Sequence, residues 1–157
     1  MQTFLPLPDF RASARCLDDK RLGKQRVECK QILLCLGVPV GEHTPRQKGW
    51  MTHPAVLMWR GHELALVEYA IIICQEWAGR NFTDRLAPQF AAAGAALRAA
   101  GHDLTYPAWL GDPEFHASHR SNLLRKDFHY YSQFNWNNLI YIPYKWPEDT
   151  LSGHTLP

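Results

Sequence analysis

Between Leu17 and Glu28 the chain reads LDDKRLGKQRVE. Lys20, Arg21, Lys24 and Arg26 lie on one amphipathic stretch, with a carboxylate, Glu28, at its end. A basic helix face is a common way to hold a phosphate backbone. A carboxylate among those bases repels phosphate, so it serves either an ion pair or chemistry. Arg21, Lys24, Gln25 and Glu28 share a polar stripe by three- and four-residue spacing. That stripe borders an apolar arc of Leu22, Cys29, Leu33 and Leu36, which predicts a half-buried Glu28. Spacing alone favours the plainer alternative, a solvated face with an Arg21–Gln25–Glu28 network.

A second basic cluster stands near the C-terminus in HRSNLLRKD, with His119, Arg120, Arg125 and Lys126. It could grip phosphate, although cations at a helix C-terminus are also favoured by the dipole alone. His116 and His119 have a spacing that can bind metal, but no third ligand stands at a matching position. Two polar helix residues are the simpler description. From Phe128 to Trp146 eight of nineteen residues are aromatic. Such a tail is either a base-stacking platform or, more simply, a strap over the core. No phosphate-binding glycine loop, Ser/His/Asp order or zincin motif is present.

These residues need helices to position them. Apolar spacing predicts a helix over about 18–36, ended by Gly37 and Pro39. Asp9 can cap a short turn before it, after an extended start set by Pro6 and Pro8. A polar loop with Arg46 and Lys48 follows. Thr52 or His53 can cap a short helix over 55–59 with Pro54 at its first position. The segment 62–80 is apolar on most of its circumference, so it should be central and buried. An Ala-rich surface helix is predicted over 84–100, and Asp112-Pro113-Glu114 starts another that runs to about Lys126. Almost no sheet is expected. The fold class is therefore all-α, a compact single domain over 1–157 around a central buried helix. An irregular aromatic C-terminal tail completes it, with 147–157 a flexible end.

With 157 residues, 46% of them hydrophobic, the chain can bury a real core. A net charge of +2 is too small to imply nucleic acid by itself, so any DNA surface must come from local clustering. Cys16, Cys29, Cys35 and Cys74 form no metal or redox spacing and read as reduced core thiols. Neither a signal peptide nor a membrane span is expected, and a cytoplasmic monomer is the default.

The motifs, in their order, resemble the pyrimidine-dimer DNA glycosylase family. The resemblance lies in L-D-x-x-R-L-x-x-Q-x-x-E, here Leu17, Asp18, Arg21, Leu22, Gln25 and Glu28. It continues through HPAVLMW from His53 to Trp59 and through CQEWAGRNF, and it ends in HRSNLLRKDFHYY at Tyr131. It covers about half of the chain, and residues 81–112 match nothing. It implies a compact helical fold and excision of a base from a photodimer, or of another damaged or modified base, in duplex DNA, with or without strand nicking, and no cofactor. The nucleophile it implies is the N-terminal amine, assisted by a glutamate that corresponds to Glu28. An α-amine is the least basic amine of a protein, so a useful fraction is neutral near pH 7. A neighbouring carboxylate can stabilise the developing sugar cation and move protons.

Two positions depart from the pattern. Gln2 is too large for ordinary Met removal, so the free amine belongs to Met1, or to Gln2 if Met1 is lost. Val27 stands where the family often has Arg. The expected catalytic set is thus Glu28 with Met1 or Gln2. The expected DNA contacts are Arg21, Lys24, Gln25, Arg26, His119, Arg120, Arg125 and Lys126. The alternatives are a non-catalytic DNA-binding protein of the same fold, or an adaptor whose basic stripe is only solvated.

Overall fold

The computed structural model describes residues 1–45, 49–136 and 141–148. Asp9 accepts a hydrogen bond from the Ala12 amide and caps α1 (Phe10–Cys16). Helix α2 (Asp19–Cys35) follows almost at once. Its C-terminus closes through Gly37 at φ 86°, a left-handed position that a residue with a Cβ adopts at a cost. His53 caps the short α3 (Pro54–Leu57) by accepting the Ala55 amide, as either Thr52 or His53 was expected to do. Helix α4 (Glu63–Gly79) forms the centre. Then come α5 (Ala87–Ala99), α6 (Pro113–Lys126) and a single turn, α7 (Phe128–Tyr131). Among the described residues there is no strand, only an isolated bridge between Val40 and His43.

Helix α4 is central because it is apolar nearly all round, with Leu64 to Val67, Tyr69, Ala70, Ile73 and Cys74 buried. It packs against α1, α2 and α5. The α2–α4 crossing depends on Gly23, where an added Cβ would sit 2.8 Å from the Trp77 ring. The core also includes Leu5, Phe10, Leu22, Ile32, Leu33, Trp59, Phe90, Phe115 and Tyr131.

Helix α3 ends at Leu57 rather than at Trp59, and two other places differ from expectation for local reasons. Helix α5 starts at Ala87 rather than near 84, because the Asp84 carboxylate accepts the Leu86 and Ala87 amides and is tied to Arg26. The aromatic tail contains α7, whose start is fixed by Asp127 accepting the Tyr130 amide. Tyr131 is buried and stacks with Trp136, while Tyr144 and Trp146 pack on the core, so these aromatics act as a strap. All four cysteines are free thiols. No helix among the described residues is long and apolar enough to cross a membrane. Arg46, Lys48 and residues 149–157 of the expected flexible end lie outside the described residues.

Candidate active site

The first residues of the chain form an extended arm that enters the helical core, with Gln2 to Pro6 all buried. Extended backbone without a sheet leaves polar groups that must be satisfied by other means. Here side chains satisfy them one after another. Gln25 of α2 donates to the Gln2 carbonyl at 2.9 Å and accepts the Phe4 amide at 2.9 Å. The Tyr69 hydroxyl of α4 donates to the Phe4 carbonyl at 2.7 Å. From α6, His119 Nδ1 accepts the Leu5 amide at 2.9 Å and Arg120 donates to the Pro6 carbonyl at 2.8 Å. His116 Nδ1 bonds the Leu5 carbonyl at 2.8 Å. Trp59 Nε1 donates to the Thr3 hydroxyl at 3.0 Å, and Ser13 closes the arm at Leu7 through both backbone groups.

This anchoring brings the arm's start against α2 at Gln25, one turn before Glu28. Glu28 is only 7% exposed, more buried than the half-buried position predicted. Its Oε1 lies 3.8 Å from Lys24 Nζ, on a lysine whose side chain is 71% exposed. Such a pair contributes little. Its Oε2 is buried with no hydrogen-bond partner. The Gln2 amide nitrogen is likewise buried and unpartnered. Unsatisfied buried polar atoms are rare and costly, and a carboxylate oxygen kept in that state suits a group held ready for a substrate. On another side stands His53, its ring edge-on to Trp50 and Trp146. Burial, and then the positive charge of the Met1 amine, hold its imidazole below the usual value. The amine is therefore near enough to His53 for its charge to be felt.

The basic residues divide into two groups. Arg21, Lys24 and Arg125 lie near enough to Lys126 to act on it: burial, then their charges, pull the Lys126 amine below its ordinary range. Arg21 is braced by Asp18 at 3.2 Å, and Asp18 also accepts the Tyr131 hydroxyl. Gln25, Arg26, His119 and Arg120, also expected as DNA contacts, are committed to the fold. Gln25 and His119 are buried on the arm, and Arg120 reaches it as well. Arg26 is about 140° round the helix from Arg21. It pairs with Asp84 at 2.6 Å and lies over the Trp77 ring. The His116/His119 pair meets the arm rather than a third metal-ligating side chain, and no group of three such side chains occurs among the described residues.

Sequence reasoning did not single out Tyr69, His53 or His116 for the site. A lone hydroxyl on an otherwise apolar central helix was the available signal for Tyr69. His53 was legible as a helix cap and as the first residue of the HPAVLMW motif, but not as a neighbour of the N-terminal amine.

The buried histidines make stability depend on pH. Burial, then the neighbouring His116, depress His119 from 6.5 to about 3, and burial chiefly lowers His116 too. Because the folded values lie below the unfolded ones, this stability is complete above about pH 6.5 and is lost as pH falls. At about pH 5 the His119 contribution alone costs about 2 kcal/mol, or roughly 5 °C in Tm. Thermal melts across this range check it, and a Tm that rises on acidification contradicts it.

The model of the family described as pyrimidine dimer DNA glycosylase matches residues 1–87, which contain the arm, Glu28, His53 and Tyr69. The match stops short of the C-terminal basic and aromatic motif. No curated protein and no solved structure matches the chain. With more than half of its length matched, the chain belongs to the pyrimidine dimer DNA glycosylase family.

Proposed function

We propose that this protein excises a base from pyrimidine dimers in duplex DNA with its own N-terminal amine as nucleophile and Glu28 as the assisting carboxylate, and then nicks the strand. The observation that supports the proposal is the anchored arm, whose Gln2 carbonyl and Phe4 amide are held by Gln25, one turn of α2 before a buried, half-unpartnered carboxylate.

The neutral Met1 amine attacks the sugar C1′. A C–N bond forms, the glycosidic bond breaks, and the base leaves with the electron pair and takes up a proton. The Glu28 carboxylate stabilises the positive charge that develops on the sugar, accepts a proton from the newly attached amine, and returns it to the ring oxygen as the C1′–O bond breaks and the protonated imine forms. The protonated imine acidifies C2′; Glu28 accepts the C2′ proton as β-elimination breaks the C3′–O bond and the phosphate leaves, and water then hydrolyses the imine and frees the amine. If Met1 is removed, the Gln2 amine takes its place. The lesion must leave the stack, so the duplex is kinked against the protein.

Arg21, Lys24, Arg125 and Lys126 form the phosphate-binding face. Affinity for duplex DNA should therefore fall steeply with salt. Lys126→Ala should lower the slope of log K against log salt by about one. Fluorescence anisotropy between low and moderate salt measures this, and a salt-insensitive affinity removes the DNA face.

The proposal as a whole is tested by incubating the protein with UV-irradiated duplex and with undamaged duplex. Appearance of one abasic sugar, and of the strand break at it, per dimer only in the irradiated strand supports it; the cleaved pyrimidine stays joined to its dimer neighbour. Binding to both duplexes without cleavage favours the non-catalytic alternative.

A further inference from the structure

At Leu5 the arm is held by α6, a helix that lies beyond the part of the chain matched to the family. Both backbone groups of Leu5 are held by α6, the amide by His119 Nδ1 at 2.9 Å and the carbonyl by His116 Nδ1 at 2.8 Å. The two rings have opposite tautomers. His116 Nε2 accepts the Gly111 amide at 2.9 Å, so its proton is on Nδ1 and goes to Leu5. His119 accepts at Nδ1, so its proton is on Nε2, where it is buried without a partner. An orphaned buried N–H is costly. A leucine in the same apolar surroundings of Phe4, Phe115 and Tyr144 would avoid that cost. What it would lack is the acceptor for the Leu5 amide. The chain thus tolerates an unsatisfied donor in order to fix the register of one residue of the arm.

We propose that His116 and His119 are positioning residues for catalysis, which clamp Leu5 and so set the depth at which the Met1 amine enters the site. This inference rests on the assignment of the amine as nucleophile. Leu5 lies four positions along the chain from Met1, roughly 13 Å of extended chain. Between them Gln25, Tyr69 and Trp59 hold the backbone and the Thr3 hydroxyl, so a shift at Leu5 passes along a braced segment rather than a slack one. A slip of a single residue would turn every side chain of an extended segment to the opposite face. A misplacement near 1 Å at the nucleophile costs about a hundredfold in rate.

The test compares His119→Leu, which removes the acceptor and keeps the bulk, with His119→Asn, whose Oδ1 can replace Nδ1. Two quantities are read at a temperature where each variant is folded by circular dichroism. One is the single-turnover rate of borohydride trapping on saturating abasic-site duplex. The other is the Kd for that duplex. His119→Leu should lose about a hundredfold in trapping rate with Kd unchanged, and His119→Asn should recover most of it. If His119→Leu does not fold, His116→Leu against His116→Asn makes the same comparison on the carbonyl side. A role confined to stability would lower Tm without changing the rate per folded molecule. Equal trapping by the wild type and the leucine variant overturns the clamp alone. No trapping by the wild type overturns the amine assignment, and the clamp with it.

Discussion

Glu28→Gln should abolish base excision while DNA binding stays intact or tightens. The substitution keeps size and shape, so Lys24, Gln25 and the arm have no steric reason to move. It removes a buried carboxylate whose Oε2 has no partner in the free protein. Losing acid–base and charge-stabilising function at once should cost about a thousandfold or more in single-turnover excision. Binding responds in the other direction, because a negative charge facing phosphate is gone. Excision assays and anisotropy on one duplex give both values. Unchanged excision would mean that Glu28 is the wrong residue even though the family is right.

Acetylation of the N-terminal amine should eliminate covalent trapping, an effect at least as large. An amide nitrogen has no available lone pair, so neither attack on C1′ nor an imine can follow. A single residue added before Met1 tests the position rather than the chemistry. The amine is retained, but the anchors from Gln2 to Leu7 keep the original register, so the new terminus is displaced by about 3 Å. That displacement alone should cost a hundredfold or more. Trapping at wild-type rates by the acetylated protein would exclude the N-terminal amine.

The helices were largely legible in the sequence. The apolar arc of Leu22, Cys29 and Leu33 and the nearly continuous apolar surface of 62–80 each have one sensible solution, a helix on the core and a helix in it. Asp112-Pro113-Glu114 marked the start of α6, and Asp9 that of α1, because capping is local chemistry. The arm was not legible. Its anchors come from Gln25, Tyr69, His116, His119 and Arg120, which are far from it in sequence and have no periodicity that announces a tertiary bond. For that reason His119 reads in the sequence as part of a phosphate-gripping cluster, whereas it is buried on Leu5. Arg26 was grouped with Arg21 on the same grounds, since only the fold brings Asp84 and Trp77 to it.

The central claim, that the chain's own terminus is the nucleophile, is tested most directly by locating the covalent bond. The protein is incubated with UV-irradiated duplex and borohydride, digested with trypsin and nuclease, and the adduct is sequenced by mass spectrometry. The expected result is a sugar remnant on the amine of Met1 in the peptide MQTFLPLPDFR, or on Gln2 if the native terminus lacks Met1. An adduct on a lysine side chain, or efficient glycosidic cleavage at the dimer with no adduct at all, would contradict it.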